Sequence, residues 1–355
     1  MRVKLDKVCK RIYAGGDVPK DRYSTVKTAE YAIPIYANAE KDNGLYGYTD
    51  TARENELSIT VAARGTIGFT AIRREPFLPV VRLITVVPDL STVSERYLYY
   101  ALRNCKPASS GTSIPQLTVP DIKKNEIELY SLSVQETIAD KLDAVGRVIE
   151  LRQQQLQKLD DLVKARFIEL FGMPGTDAFG WGLVPLGSTC NINPKKSLDS
   201  RLVSGAVFSF VPMPAVTEHG EIDATAIKEY DEVKTGFTYF AENDVLFAKI
   251  TPCMENGKGA VAKGLHNGIG FGSTEFHVLR PISGKTDPYW IYTLTAFSQF
   301  RMDAASNMTG SAGQRRVPAS FLENYRVSLP PIALQEQFAA FVKQTDKSKV
   351  AIQKA

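Results

Sequence analysis

Histidines and cysteines are the residues of this chain best suited to act as nucleophiles, general bases or metal ligands. The chain has three histidines and four cysteines, namely His219, His266, His277, Cys9, Cys105, Cys190 and Cys253. The cysteines lie singly, without a Cys-x-x-Cys pair or a nearby histidine that would complete a zinc site. The spacing of the histidines is typical neither of a metal site nor of a catalytic triad. We therefore expect no metal and no catalytic residue, reduced structural cysteines, and a structural role for His277, which falls within a strand pattern.

Glycine-rich stretches could bind phosphate groups, and two of them were compared with known nucleotide motifs. A P-loop places two glycines five residues apart before Lys-Ser/Thr, but Leu279 stands where the first glycine before Gly284-Lys285-Thr286 belongs. The segment from Gly268 to Gly272 is not followed by the pattern of a helix that would receive a phosphate. The sequence therefore predicts no nucleotide site.

The length and composition of the chain limit the folds that could position such residues. The chain has 355 residues, of which 44% are hydrophobic and 23% charged. This composition is typical of a soluble globular protein, and the length suits two domains of about 100 to 200 residues. No apolar run is long enough to span a membrane, and the N-terminus MRVKLDKVCK lacks the apolar stretch of a signal peptide. These features predict a cytoplasmic protein. The net charge of +4 is too small to identify nucleic acid as a partner by itself.

The chain repeats itself with an offset of about 200 residues. Leu129 to Asp143 reads LYSLSVQETIADKLD and Leu329 to Lys343 reads LPPIALQEQFAAFVK, so that Gln135 falls opposite Gln335. Further matches follow in the same order in both halves: Val3-Lys4-Leu5 with Val184-Pro185-Leu186, Tyr97 to Leu102 with Tyr289 to Leu294, and Gly111 to Pro120 with Gly310 to Pro318. Strand patterns such as Val245 to Ile250 alternate with Gly/Pro/Asn turns. The sequence therefore predicts a tandem of two α+β domains.

A helix pattern follows each repeated domain. From Leu142 onward, apolar residues alternate spacings of three and four, as at the a and d positions of a coiled coil. With Ser133 as N-cap and Gly172 as stop, we expect domains over 1–132 and 172–332 and helices over 133–171 and 333–355. Each helix could pack on its own domain. Alternatively, the helices pair antiparallel through Leu142, Val145, Ile149, Leu156, Leu159, Val163, Leu170, Leu334, Phe338 and Phe341.

The polar Gly/Ser segments and the helix starts resemble those of a known family. The segments GTSIPQLTVPDI and TGSAGQRRVPASF, and above all the helix start LPPIALQEQ, are similar to the specificity subunits of type I restriction-modification systems. ARGTIG at 63–68 and LFAKITPCMENGKGAV at 246–261 look like strand-and-turn segments of the same proteins. The resemblance covers essentially the whole chain. It implies two target-recognition domains, each followed by a long helix, with the two helices packed as an antiparallel coiled coil.

The resemblance also implies a function. Such subunits read a bipartite DNA site, one half with each domain, and bind two modification subunits that methylate adenine and restriction subunits that act as motor and nuclease. The chain itself would then not be an enzyme, and the complex would use S-adenosylmethionine, ATP and Mg through its other subunits. In agreement, Pro330-Pro331 is the one Pro-Pro pair and follows Leu329, where an amino-methyltransferase loop has Asn or Asp.

The chain departs from the family pattern in two places. LYSLS stands at the first helix start, where the family has a proline pair. The second helix pattern ends 27 residues after its start at Leu329, whereas the first continues for 44, to Gly172. We therefore expect a truncated second helix, with self-association as one way to complete the coiled coil. Two other functions stay open: a duplicated coiled-coil scaffold that binds proteins without DNA specificity, and a hydrolase with an unrecognised site between the domains.

If the chain reads DNA, its contacts should be arginines, lysines and amides on loops. Arginine can form two hydrogen bonds to guanine, glutamine or asparagine can form two to adenine, and basic residues bind phosphates. The candidates are Lys10, Arg11, Arg64, Arg73, Arg74, Gln116, Lys195, Lys196, Lys249, Lys258, Gln314, Arg315 and Arg316. Gln116 and Gln314 recur in both halves, so a shared structural role is equally open for them. The adjacent Arg315 and Arg316 are the strongest candidates. The two halves differ greatly in these segments, which predicts an asymmetric DNA site.

Overall fold

The computed structural model of the chain describes residues 1–105, 116–196, 199–311 and 313–354. The chain forms two compact units, residues 1–150 and 151–355, and the boundary between them falls inside one long helix. Gly111, Thr112 and Ser113 of the first polar segment lie outside the described residues. Among the helices that are described, none combines the length and the apolar character that a membrane span requires.

Short strands rich in β-branched residues form the body of the first unit. Its described strands are β1 (Arg2–Lys4), β2 (Cys9–Ala14), β3 (Ile33–Tyr36), β4 (Leu45–Thr49), β5 (Ser58–Val61), β6 (Thr70–Arg73), β7 (Leu78–Pro79), β8 (Ile84–Pro88) and β9 (Glu126–Glu128). An antiparallel sheet has the order β2-β8-β5-β6, and a second sheet has the order β4-β3-β7, with β3 parallel to β7. Strands β5 (SITV) and β8 (ITVVP) are buried along their whole length, with Ser58, Thr60 and Thr85 as buried polar residues among the apolar ones.

Helices cover the antiparallel sheet of the first unit. They are α1 (Glu95–Arg103) and α2 (Val119–Lys124), and the long helix α3 (Leu132–Phe171) follows them in the chain. Ser94 caps α1, and Thr118 forms a capping box with Asp121 at the start of α2. The apolar faces of α1 and α2 share one core with the sheet through the buried residues Leu98, Leu102, Ile122, Ile59 and Val86.

The second unit repeats this arrangement. Its described strands are β10 (Leu183–Pro185), β11 (Cys190–Ile192), β12 (Val207–Val211), β13 (Ile227–Glu229), β14 (Thr238–Ala241), β15 (Val245–Ala248), β16 (Gly259–Val261), β17 (Ile269–Gly272), β18 (Phe276–Pro281) and β19 (Arg326–Ser328). Its helices are α4 (Tyr230–Val233), α5 (Pro288–Ala296), α6 (Ser298–Ser306), α7 (Ala319–Asn324) and α8 (Ile332–Lys354). The order β11-β18-β15-β16 matches β2-β8-β5-β6, and β12 is parallel to β17 as β3 is to β7. The predicted tandem of two α+β domains is therefore confirmed.

Both units are closed by the same small ribbon. β1 pairs antiparallel with β9, and β10 with β19, each through three residue pairs. After the first strand of each unit comes a 3-10 turn, and the next strand begins at Cys9 or Cys190. The sequence match placed Val119 opposite Val317. In the structure, helices α2 and α7 are equivalent at an offset of 200 residues, so Val119 lies opposite Ala319 instead.

A buried glutamine joins the start of α3 to the first domain. The Gln135 side chain is fully buried, and its Oε1 accepts the Ser94 amide at 2.8 Å. Its Nε2 donates to the carbonyls of Thr92 at 3.0 Å and Tyr130 at 2.8 Å. One side chain thus fixes the first turn of the helix to the loop before α1 and to the segment before α3.

Gln335 does the same at the start of α8. It is fully buried, its Oε1 accepts the Asp287 amide at 2.9 Å, and its Nε2 donates to the carbonyls of Lys285 at 3.1 Å and Pro330 at 2.8 Å. The donors and acceptors occupy equivalent places in the two units. The sequence match between Gln135 and Gln335 therefore reflects one repeated joint.

Helices α3 and α8 pack antiparallel within the second unit. Phe338 of α8 is fully buried, and its ring centroid lies 5.5 Å from those of both Phe167 and Phe171 of α3. Further along α8, Lys349 Nζ lies 2.5 Å from a carboxylate oxygen of Asp160. Residue numbers fall along α3 as they rise along α8, which confirms the predicted antiparallel pairing.

The ends of α3 agree only in part with the sequence prediction. The helix ends at Phe171, and Gly172 has φ +78°, as expected of a helix stop. Its N-terminus begins at Leu132, and the Ser131 carbonyl accepts the Gln135 amide at 3.0 Å. Ser133 therefore lies inside the first turn and is not the N-cap, because the helix already begins at Leu132.

Candidate nucleic-acid interface

In the first unit, Gln116 and Leu117, which precede α2, lie against the residues that follow the central strand β5. The Leu117 amide donates to the Ala63 carbonyl at 3.0 Å. The Arg64 guanidinium donates to Gln116 Oε1 through Nε at 3.0 Å and through Nη2 at 2.7 Å. Arg64 and Gln116, which were both predicted as site residues, are therefore brought together beside the end of the sheet.

The equivalent polar segment of the second unit, which we call the strap, comprises residues 309–311 and 313–317. The Val317 amide donates to the Lys249 carbonyl at 2.9 Å, one residue after β15, much as the Leu117 amide donates to Ala63, two residues after β5. The Thr251 amide donates in turn to the Arg315 carbonyl at 3.0 Å. In both units, the residue two positions before α2 or α7 is thus held in the same backbone frame, at the end of the central strand.

The adjacent Arg315 and Arg316 have different partners. Arg316 forms a fork with Glu275, with Nε 2.9 Å from Oε2 and Nη2 2.8 Å from Oε1. This hydrogen bonding lowers the pKa of the Glu275 carboxyl. Arg315 Nη2 donates to the carbonyls of Ala305 and Met308, each at 3.1 Å. The two parallel hydrogen bonds hold the Arg316–Glu275 pair in a fixed geometry. Because the pair is only partly buried, another molecule can reach it.

His277 supports the strap from the interior. Its side chain is buried, Nε2 lies 2.8 Å from the Val317 carbonyl, and Nδ1 lies 3.0 Å from Asn193 Nδ2. Burial lowers the pKa of His277, so the ring is neutral at pH 7. Nε2 then donates to the carbonyl and Nδ1 accepts from the amide. These contacts agree with the structural role predicted for this histidine.

A loop at residues 250–258, which we call the 250s loop, lies beside the strap. Thr251 Oγ1 donates to Glu255 at 2.7 Å. From α6, Arg301 Nη1 donates to the Met254 carbonyl at 2.5 Å and Nη2 to the Gly257 carbonyl at 3.0 Å. No sequence pattern pointed to Arg301, because a single arginine in a helix usually faces solvent. In the fold, however, it is the residue that holds the far side of the 250s loop.

The remaining candidates of the second unit lie around these segments. Lys258 Nζ lies 3.4 Å from the Met213 carbonyl, and Lys196 Nζ donates to the Lys234 carbonyl. Across the described residues, no hydrogen-bond or ion-pair partner is seen for the side chains of Lys195, Lys249 and Gln314. Lys249 is half-buried, and Lys195 and Gln314 are exposed. These three side chains are therefore available to an external ligand.

Three basic candidates of the first unit are held by carboxylates. Arg11 Nη2 lies 2.6 Å from Glu54 Oε1, and Lys10 Nζ lies 2.7 Å from Glu56. Arg74 pairs with a glutamate of α1. Lys10 and Arg74 are largely exposed, so their ion pairs can exchange with another anion at little cost, whereas Glu54 is buried and would lose its partner if Arg11 moved to another anion.

Arg73 is a core residue, in contrast to the prediction of a DNA contact. Its residue exposure is 4%, and its guanidinium lies 3.6 Å from the ring centroid of Tyr36. Its Nε donates to Thr60 Oγ1 at 3.1 Å and its Nη2 to the Asn43 carbonyl at 2.7 Å. The side chain points inward because successive residues of β6 face opposite sides of the sheet, and Tyr36 on β3 covers it.

The four cysteines are free, and burial raises the pKa of the Cys9 thiol to about 12, of Cys105 to about 11 and of Cys190 to about 12. These thiols therefore stay protonated and unreactive near neutral pH. In the described ranges, no group of three or more His, Cys, Asp and Glu side chains could hold a metal ion.

Both halves of the chain match one family model. The model of the type I restriction modification DNA specificity domain matches residues 1–161 and, in a second copy, residues 180–355. The chain belongs to this family. It is 43% identical over 153 residues to the EcoEI specificity subunit of Escherichia coli and 41% identical over 159 residues to the EcoAI specificity subunit. These alignments cover 43% and 44% of this chain but only 25% and 26% of the two relatives, so the chain spans about a quarter of their length.

Solved structures share the fold of these specificity domains. The S subunit of a type I restriction-modification system from M. genitalium superposes with a TM-score of 0.52 at 16% identity, covering 100% of this chain and 91% of that one. A chain from a study of complex assembly and conformational transition of the type I R-M system gives 0.50 at 17% identity, covering 100% and 92%.

The predicted coiled-coil residues of this specificity-family chain fall into three groups. Phe338 is fully buried. Half-buried positions are Leu156, Leu159, Val163, Leu170, Leu334 and Phe341. Exposed positions are Leu142, Val145 and Ile149, at 39%, 57% and 53%. Pairing of α3 through these last three residues stays a prediction.

Sequence reasoning missed the aromatic residues at the centre of the α3–α8 contact. The predicted interface included Val163 and Leu170 but not Phe167 and Phe171, which lie at the centre of the contact. An α-helix has 3.6 residues per turn, so a strict 3.5-residue pattern drifts off the buried face of a straight helix. The four-residue spacing of the two phenylalanines in VKARFIELF was the signal that could have identified this face.

Proposed function

We propose that this chain is the DNA-recognition subunit of a type I restriction-modification complex, in which each specificity domain reads one half of an asymmetric, bipartite site. The observation that carries the proposal is the repeated backbone frame at the end of the central strand, formed by Leu117 in the first unit and Val317 in the second. The same frame presents different side chains in the two units. A repeated frame with unlike polar groups suits two different half-sites.

The paired side chains of each frame match the hydrogen-bonding edges of bases. Arginine suits guanine O6 and N7 and a carboxylate suits cytosine N4, so Arg316 and Glu275 could exchange the bonds that they make to each other for bonds to a G·C base pair. In the first unit, Arg64 can fork guanine and Gln116 can fork adenine. Their internal hydrogen bonds hold both pairs in place before DNA arrives, which lowers the ordering cost of binding.

The other candidates are proposed to position the DNA. Exposed or weakly held cations are suited to phosphates, which fix register without reading sequence. We assign Gln314 to contacts with base edges. The proposed phosphate contacts are Lys10, Arg11, Arg74, Lys195, Lys196, Lys249, Lys258 and Arg315.

The partners and cofactors of the proposed complex follow from the same assignment. Acting in the cytoplasm, two modification subunits would methylate adenine with S-adenosylmethionine, and restriction subunits would use ATP and Mg. The chain itself would contribute no catalytic residue. The α3–α8 pair would act as the spacer that sets the length of the unread gap, and the exposed Leu142, Val145 and Ile149 would face a partner helix.

Co-expression with the modification subunit encoded beside it tests this function. Adenine methylation should map to a two-part motif with a fixed gap, and modification subunit expressed without this chain should leave that motif unmethylated. An ungapped motif, or the same motif in the absence of the chain, would contradict the proposal.

A protein-binding scaffold without DNA specificity is the second candidate, and the exposed apolar residues Leu142, Val145 and Ile149 favour it. Salt dependence separates the two functions. Binding that neutralises six to ten phosphates weakens roughly 10³- to 10⁵-fold between about 50 and 200 mM salt, whereas association through an apolar face does not weaken in this way.

A further inference from the structure

A cavity of about 630 Å³ lies in the second unit, between the recognition fold and the paired helices α3 and α8. The helix pair lines one side through residues such as Asp160 and Lys349, and α5 and α6 line the other through residues such as Tyr292 and Arg301. This volume is typical of small-molecule sites, which span about 300 to 1,000 Å³. None of the proposed DNA contacts lines the cavity, so it is separate from the candidate interface.

Arg301 places a buried positive charge on the wall of this cavity. The residue is 7% exposed, and two of its nitrogens donate to the Met254 and Gly257 carbonyls. Its Nε has no hydrogen-bond partner, and no carboxylate forms an ion pair with it in the part of the chain that the structure describes. Burial lowers the pKa of Arg301 to about 10, so the guanidinium stays charged at neutral pH. A buried charge without a counter-ion is costly, and a bound anion would supply one.

The carboxylates around the cavity have partners of their own. Asp160 lies 2.5 Å and Asp346 lies 3.6 Å from Lys349 Nζ, and Glu255 accepts the Thr251 hydroxyl. Glu218 is exposed at the rim. The buried charge that lacks a partner is therefore the positive one.

The rest of the cavity suits an apolar or aromatic body. Val163, Val261 and Met302 line it together with the Tyr289 and Tyr292 rings. Burial raises the pKa of the Tyr292 hydroxyl to about 12, so this group stays protonated and can donate a hydrogen bond to an anion.

We propose that this cavity is a binding site for a small organic anion, a carboxylate or phosphate ester with an apolar or aromatic body, whose charged group meets Arg301. The same guanidinium holds the 250s loop, which contains Lys258 and directly follows Lys249. A bound anion is therefore expected to stiffen this loop. Any effect of this stiffening on DNA binding rests on the proposed function, whereas the ligand site itself does not.

Two fluorescent probes with the same aromatic skeleton test the site on the purified full-length chain without DNA. The anion 8-anilinonaphthalene-1-sulfonate and its uncharged analogue N-phenyl-1-naphthylamine should both bind saturably, and the anion should bind more tightly. Arg301→Met should weaken the anion roughly 10- to 100-fold, which corresponds to a lost hydrogen bond to a charged group, and should spare the uncharged probe. Competition by benzoate and by phenyl phosphate identifies which anionic group is preferred.

A cavity-filling variant keeps the test informative if Arg301→Met fails to fold. Ala305 lines the cavity, so Ala305→Trp should abolish saturable binding of both probes. Ala340→Trp, at an exposed alanine of α8 away from the cavity, should leave binding unchanged. Equal affinity for the two probes in the natural chain, or binding that survives Ala305→Trp, would overturn the proposal. Neither result would bear on DNA recognition.

Discussion

Replacing Gln335 with leucine tests whether one buried side chain fastens α8 to its domain. Leucine fills a similar space but leaves the Asp287 amide and the Lys285 and Pro330 carbonyls without bonds of 2.9, 3.1 and 2.8 Å. Each unsatisfied buried group costs about 1–3 kcal/mol, and burial of the leucine offsets about 1.5–3 kcal/mol of the total. We therefore expect the free energy of unfolding of the second unit to fall by about 3 kcal/mol.

Hydrogen exchange followed by mass spectrometry measures this loss locally, which suits a chain of two units that need not unfold together. Exchange at the Asp287 amide should accelerate roughly 100-fold in Gln335→Leu. Gln337→Leu, at an exposed position of α8, should leave it unchanged. Gln135→Leu should accelerate exchange at Ser94 instead. A change of less than about threefold at Asp287 would refute the reasoning that these three bonds form the joint.

Three further predictions follow from the second unit. Phe338→Ala should lower the free energy of unfolding by about 3–5 kcal/mol in urea titrations. The same change at the exposed Phe179 should have little effect, and equal effects of the two changes would contradict the contact between α3 and α8. Because burial lowers the pKa of His277, the unfolded chain binds its proton more readily, so stability should fall as the pH drops below about 6.5 and His277→Gln should flatten this fall. Arg316→Ala should cost about 1–3 kcal/mol at the specific DNA site alone, whereas Lys258→Ala should weaken all sequences alike in binding titrations.

The sequence was most informative where the two halves could be compared. The match between Gln135 and Gln335 showed that a feature is repeated. Its role as a joint depends on Ser94 and Asp287, which lie more than forty residues away along the chain. No local pattern carries such long-range hydrogen bonds, so the order of the strands and the partners of the glutamines emerge only in the fold.

The candidate site shows the same division between local and long-range information. The residue types of Arg64 and Gln116 suit DNA contacts, and the fold brings the two side chains together. Arg73 is of a suitable type as well, but Tyr36 from another strand covers it, and the sequence does not show which face of β6 is buried. Phe167 was missed because the assumed repeat of 3.5 residues displaced the predicted contact face.

The central claim is that two unlike frames read two halves of one DNA site. Its most direct test is a map of methylated adenines in cells that express the modification subunit with either the natural chain or Arg316→Ala. We predict a gapped, two-part motif for the natural chain, and for the variant a motif that is relaxed in one half and unchanged in the other. Relaxation of both halves together, or of neither, would contradict the account.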